Sequence, residues 1–201
     1  MGEHPRTQRQ SDQNLLSKAI RDWKYSCGAT SEQIGLFFEF HKRQPKVVYC
    51  LYLWIMGDMF IRSIGELKDF AKEIVDSLKA NERATIIALD GDLGSGKTTF
   101  SKCIAALLGV KNQVQSPTFV IMKSYNIEDD KRFNNLIHID AYRFDDPKEA
   151  DQIRWNELVL EPRNLVLVEW PEKLGDRLPI GTMRICFSFV DETTREISVV
   201  E

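Results

Sequence analysis

Gly91-Asp92-Leu93-Gly94-Ser95-Gly96-Lys97-Thr98-Thr99 fits G-x-x-x-x-G-K-[ST], the spacing of a phosphate-binding loop. The flanks suit it. Residues 84–89 (Ala-Thr-Ile-Ile-Ala-Leu) form a short apolar, β-branched run that reads as a buried strand. Phe100, Ile104, Leu107 and Leu108 follow at helical spacing, and Gly109 is placed to end that helix. Strand, glycine loop and helix in this order decide the fold class. The chain reads as α/β, a P-loop NTPase-like fold with a mixed central sheet, flanking helices and a C-terminal β-hairpin.

The residue types follow from the chemistry of binding a polyphosphate. Glycines let the backbone adopt conformations closed to other residues and approach an anion closely. Successive N–H groups then form an anion-binding nest, and the helix N-terminus adds about half a positive charge. Lys97 is the residue to reach the β- and γ-phosphates, and the Thr98 hydroxyl the one to hold Mg²⁺. The competing reading, a chance glycine turn, leaves the matching strand and helix unexplained.

With 201 residues, 43% hydrophobic and 28% charged, the chain has the composition of a globular protein with an ordinary core. A net charge of −3 argues against a protein that grips nucleic acid alone through a broad basic face. Cys27, Cys50, Cys103 and Cys186 are scattered, with no C-x-x-C pair. They read as reduced thiols of a cytoplasmic protein, not as a zinc site or disulfide frame. The longest uncharged apolar run, 47–57, stops at Asp58, short of the roughly 20 residues a spanning helix needs. No membrane association is expected, and the position of that run does not suit a signal peptide.

Two segments are distinguished, 1–58 and 59–201. The first is unlike the rest: a polar, turn-rich start to Gln13, a possible short helix over 15–23, a basic proline-broken stretch at 41–45, and the oily run 47–56. Three readings of the oily run stand: an extra element packed on the domain, a cover for a partner-binding surface, or residues upstream of a true start at Met56 or Met59. The third is preferred, because the domain is complete without it.

From Ile61 the pattern is regular. Ile64, Leu67, Phe70, Ala71, Ile74, Val75 and Leu78 recur at helical spacing, with Ser63 and Glu66 forming a capping box. Pro117 holds Ser116 extended, and a strand is predicted from Phe119 to about Tyr125. It pairs as an antiparallel hairpin with 135–140. Asp146-Pro147-Lys148-Glu149 starts a helix that continues brokenly toward Pro162. Residues 165–170 are the cleanest buried strand, stopped by Pro171. Alternating runs at 183–189 and 197–199 read as a closing hairpin.

A phosphate-binding loop needs an acid at the end of a neighbouring strand to anchor Mg²⁺ or its water shell, and ligands of open α/β sheets sit beyond the carboxyl ends of strands. Glu169 and Asp140 occupy such ends. Glu169 follows the more apolar run and is the first choice for the metal; Asp140 then orients or activates the attacking water. The bland alternative for each is an ion pair with an arginine such as Arg143. Thr118, at a strand start, has a hydroxyl that could meet the γ-phosphate or Mg²⁺, or is simply a turn residue. Trp170 could present its indole to nucleotide or partner, or belong to the core. His138 reads as structural, and Arg143 as either a phosphate contact or a partner for Asp140.

Four blocks in this order, 91–100, Ser116-Pro117-Thr118-Phe119, His138-Ile139-Asp140-Ala141-Tyr142-Arg143 and Val168-Glu169-Trp170-Pro171-Glu172, resemble TsaE, the small bacterial ATPase of the threonylcarbamoyladenosine tRNA-modification system. The resemblance covers about 60–190. It implies ATP and Mg²⁺ as cofactors, Thr98 and Glu169 as metal ligands, Asp140 in hydrolysis, Thr118 as a switch-like threonine and Trp170 beside the nucleotide. It also implies action with a TsaB–TsaD pair, which transfers the threonylcarbamoyl group to the adenosine beside the anticodon, with tRNA met through that complex. The sequence departs from the family in Ser95 and Ala141, where alanine and leucine are usual, and in residues 1–58, which have no counterpart.

The leading reading is therefore an ATP-hydrolysing partner switch. A small-molecule kinase is weaker, because between Thr118 and Glu169 only the dispersed Arg132, Arg143, Arg154 and Arg163 could serve a lid. A GTPase is weaker still without an N-K-x-D segment. A nucleotide-gated binding module with little turnover is the rival from another class.

Overall fold

A computed structural model describes residues 59–111 and 114–200. The expectations for the first 58 residues, including Cys27 and Cys50, lie outside the described residues. Seven strands form one sheet: β1 (Met59–Ile61), β2 (Thr85–Gly91), β3 (Met122–Asn126), β4 (Asn135–Asp140), β5 (Asn164–Glu169), β6 (Met183–Phe189) and β7 (Arg195–Val200). Their order is β1-β7-β6-β2-β5-β4-β3. The central strands β6, β2, β5 and β4 run parallel, while β3, β7 and β1 add antiparallel edges.

Strand periodicity divides the core in two. Ile87, Leu89, Leu136, Leu165, Leu167, Ile185 and Phe187 face α1 (Ile64–Ser77) and α2 (Lys97–Leu107). The alternate residues Ile86, Ile137, Ile139, Val166 and Val168 face Phe144, Ala150 and Trp155, where 3₁₀ segments (Pro147–Ile153, Pro171–Arg177) and α3 (Trp155–Leu160) pack. This parity positions the site. Counting on from Leu136 and Leu167, both Asp140 and Glu169 fall on the α2 face, at the strand ends beside the glycine loop.

Gly91 shows why the loop strand must end in glycine. Its φ is +133°, and a Cβ there would lie 2.3 Å from the Phe187 carbonyl oxygen on β6. Gly96 takes φ +117° immediately before α2. At the other end of α2, Gly109 (φ +72°) terminates the helix, and Val110 N–H returns to the Ala105 carbonyl.

The structure corrects three local expectations. Residues 119–121 are not strand: Val120 and Ile121 N–H both donate to the Pro117 carbonyl, at 2.8 and 2.6 Å, closing a turn, and β3 begins only at Met122. The Ser63 cap is half a capping box. Its hydroxyl accepts from Glu66 N–H, but the Glu66 carboxylate takes the N–H of Arg62 instead of Ser63. Ile64, though in phase with the apolar stripe, is exposed at the helix start. Asp146 and Glu149 do form a reciprocal capping box, but over a 3₁₀ segment, and Arg154 at φ +55° breaks it from α3. Cys103 and Cys186 are free thiols, both pushed up in pKa chiefly by burial.

Candidate functional site

The loop 91–96 leads directly into α2, so the first N–H groups of that helix open toward the ends of β4 and β5. Leu93 points to solvent and Asp92 and Gly94 are exposed, so what these three offer a ligand is backbone. Ser95 is buried, and its hydroxyl has no hydrogen-bond partner among the described residues. Thr98 and Thr99 are half-buried in the first turn of α2.

Lys97 is buried, and its ammonium donates to the carbonyls of Gly91 (2.5 Å) and Asp92 (2.8 Å). Burial lowers its pKa; the carboxylates of Glu169, Asp140, Glu172 and Asp92 oppose that shift by favouring the charged form. The ammonium also sits 4.3 Å from the ring centre of Trp170, a cation–π contact. Trp170 is aimed there by its own backbone, which turns left-handed (φ +59°) directly after β5.

Two carboxylates meet this loop. The Thr98 hydroxyl donates to Glu169, with Oγ1 at 2.9 and 3.0 Å from the two carboxylate oxygens. Asp140 accepts from the Thr118 hydroxyl and from Tyr142 N–H (3.1 Å). Thr118 also bonds Ser116 through the hydroxyls, at 2.6 Å. Both acids are buried. Neither pairs with Arg143, whose guanidinium lies over the exposed Phe119 ring at 4.8 Å. The turn carrying Thr118 ends at Ile121, a β-branched residue at φ +66° whose carbonyl accepts from Asp140 N–H. Such a conformation costs on the order of 1–3 kcal/mol and tends to be retained where the site needs it.

The structure thus brings Lys97, Thr98, Thr118, Asp140, Glu169 and Trp170 to one end of the sheet. Two neighbours had no site role in the sequence reading, which took His138 as structural and gave Tyr142 none. His138 is fully buried, and its Nε2 lies 2.8 Å from Glu169 Oε1. Tyr142 packs against Trp170 with ring centres 5.1 Å apart and planes tilted by 53°. The signal for His138 was available: two residues before Asp140 in a strand is the same face. The kinase-lid candidates are occupied elsewhere. Arg132 binds Asp130, Arg154 binds Glu157, and Arg163 reaches Asn134.

No cluster of three or more His, Cys, Asp or Glu that could hold a metal unaided occurs among the described residues. Thr98 and Glu169 offer a hydroxyl and a carboxylate in contact, oxygen donors of the kind that hard divalent cations take. Among the described residues, no helix is long and apolar enough to cross a membrane.

Residues 61–197, which contain this whole site, match the family model described as threonylcarbamoyl adenosine biosynthesis protein TsaE. Curated relatives carry the name tRNA threonylcarbamoyladenosine biosynthesis protein TsaE. One from Bacillus subtilis is 36% identical over 113 residues, covering 56% of this chain and 67% of the relative. One from Rickettsia felis is 32% identical over 143 residues, 71% of this chain and 78% of the relative. One from Aquifex aeolicus is 36% identical over 121 residues, 59% and 80%. Among solved structures, Bacillus subtilis YdiB superposes with a TM-score of 0.53 at 30% identity, covering 70% of this chain and 81% of that one.

Proposed function

The chain belongs to the TsaE family, and from that premise we propose that it is a Mg²⁺-dependent ATPase acting as a partner switch on a TsaB–TsaD complex. Its relatives are named for tRNA threonylcarbamoyladenosine biosynthesis, and the chain takes the same role. One observation carries the ATPase reading: the hydrogen bond from Thr98 to Glu169, which ties the first turn after the glycine loop to a carboxylate 71 residues away.

The residues divide the work as follows. The amides of 91–98 and the α2 N-terminus cradle the β- and γ-phosphates. Lys97 leaves the Gly91 and Asp92 carbonyls for phosphate oxygen, and Trp170 keeps its ammonium shielded from water. Thr98 and Glu169 hold Mg²⁺ or its water shell. When bound, the cation supplies neutralisation of the charge that develops on the phosphate oxygens. Asp140, fixed by Tyr142 N–H, orients the attacking water. Thr118, on a strained turn and bonded to Asp140, is the group that would register a γ-phosphate.

The test is phosphate release from ATP by the full chain, alone and with a TsaB–TsaD pair. Turnover stimulated by the pair and abolished by Lys97→Ala supports the reading. Turnover indifferent to the pair but dependent on an added small alcohol would favour a kinase. Nucleotide binding with partner assembly but no turnover would make the chain a nucleotide-gated binding module.

A further inference from the structure

We infer that His138 is a positioning residue: its Nε2–H fixes the rotation of the Glu169 carboxylate so that Oε2 stays presented to the loop and its cation. The inference rests on the reading of Glu169 as the Mg²⁺ carboxylate.

The tautomer follows from hydrogen-bond accounting. Nε2 lies 2.8 Å from Glu169 Oε1, and a carboxylate oxygen only accepts, so Nε2 carries the proton. Nδ1 is buried and has no hydrogen-bond partner among the described residues. The buried ring leaves Nδ1 unpaired on a strand face whose neighbouring positions, such as Leu136 and Leu167, are apolar. The ring is therefore held at a cost that only its bond to Glu169 offsets.

The geometry shows what the bond achieves. Thr98 shares its single hydroxyl proton between Oε1 and Oε2, so alone it does not choose a carboxylate orientation. His138 contacts Oε1 only and breaks that symmetry. Oε1 receives two donors, and Oε2 keeps open lone pairs beside the Thr98 oxygen. Partners of this kind behind a metal-holding carboxylate typically change metal affinity by about 10- to 100-fold.

The experiment titrates Mg²⁺ against binding of a fluorescent ADP by the full chain, comparing wild type with His138→Leu, His138→Gln and Glu169→Gln. Thermal unfolding and the nitrogen chemical shifts of the His138 ring are recorded alongside. His138→Leu is expected to raise the Mg²⁺ requirement ~10-fold or more while leaving Mg²⁺-free nucleotide affinity little changed. His138→Gln, whose amide can donate from a similar place, is expected to restore most of the loss. If Glu169→Gln leaves the Mg²⁺ requirement unchanged, the metal assignment itself fails. If Glu169→Gln raises it but a folded His138→Leu does not, the positioning role alone fails. Should His138→Leu not fold, the wild-type spectrum decides: a ring protonated on Nε2 and perturbed in Glu169→Gln supports the role, and a ring without a proton on Nε2, or one indifferent to Glu169→Gln, overturns it.

Discussion

Asp140 and Glu169 stand directly opposite one another, each the last residue of its strand, in the parallel pair β4–β5. Equal register puts two carboxylates side by side on the α2 face. Their partners then separate their roles. Glu169 is bound by Thr98 of the loop helix, and Asp140 by Thr118 of the strained turn. In the proposed reading, the first acid would serve the cation and the second the segment that would meet a terminal phosphate.

Asp140→Asn keeps the shape of the side chain and its acceptor toward Tyr142 N–H, but removes the charge that the proposed mechanism assigns to orienting water. The expected result is a fall in partner-stimulated kcat of about 100-fold or more with nucleotide affinity nearly unchanged, read from phosphate release and a binding titration on the same preparation. A parallel loss of nucleotide binding would instead make Asp140 part of the phosphate or metal shell.

Lys97→Ala removes a charged donor that is already inside the site and aligned on the loop. Nucleotide affinity should fall by at least about 2 kcal/mol, roughly 30-fold in Kd. Calorimetric titration with ADP checks this. The fold should survive, because the substitution removes a buried charge and frees only the carbonyls of half-buried Gly91 and exposed Asp92.

Gly91→Ala tests the closeness of β2 and β6. The added carbon would lie 2.3 Å from the Phe187 carbonyl oxygen at a φ of +133°. The strand pair must separate or the loop must change conformation. A loss of about 3 kcal/mol of stability is expected, seen as a lower midpoint in urea, together with loss of nucleotide binding.

Much of this was legible in the sequence because it depends on local patterns. The glycine spacing, the β-branched run before it and the amphipathic stripe of α1 each specify one element. Strand parity alone puts 136, 138 and 140 on one face. What the sequence left open depends on long-range packing. The turn at 118–121 looked like strand because Phe119, Val120 and Ile121 are apolar. The Pro117 carbonyl captures two amides there and leaves Phe119 84% exposed. His138 looked structural because nothing local shows that β5 lies beside β4 in equal register. The placement of β6 next to the loop strand is likewise set by the sheet as a whole, and the sequence reading had seen only a closing hairpin.

A pH dependence of stability is expected at the far end of α1. Asp130 accepts from Arg132 Nη2 (2.6 Å) and from the N–H groups of Arg132 (2.6 Å) and Phe133 (3.2 Å). Arg132 Nη1 in turn donates to the carbonyls of Val75 and Leu78. The hydrogen bond from the Arg132 side chain, outweighing partial burial, holds the Asp130 carboxyl below its ordinary pKa. A depressed folded value means that the stabilisation is fully present above the unfolded carboxyl pKa, about 3.9. It is lost as pH falls through the folded value. Asp130→Asn should cost about 1 kcal/mol at neutral pH, allowing for solvent screening. The gap to wild type in thermal unfolding should close as pH drops below about 4.

The most direct measurement is a crystal structure of the full chain with Mg²⁺ and a non-hydrolysable ATP analogue. The β- and γ-phosphates should lie on the amides of residues 91–98 with Lys97 between them. Mg²⁺ should sit about 2.0–2.1 Å from Thr98 Oγ1, with Glu169 reaching it directly or through one water. A nucleotide bound away from the loop, or a cation on acids other than Glu169 and Asp140, would contradict the account.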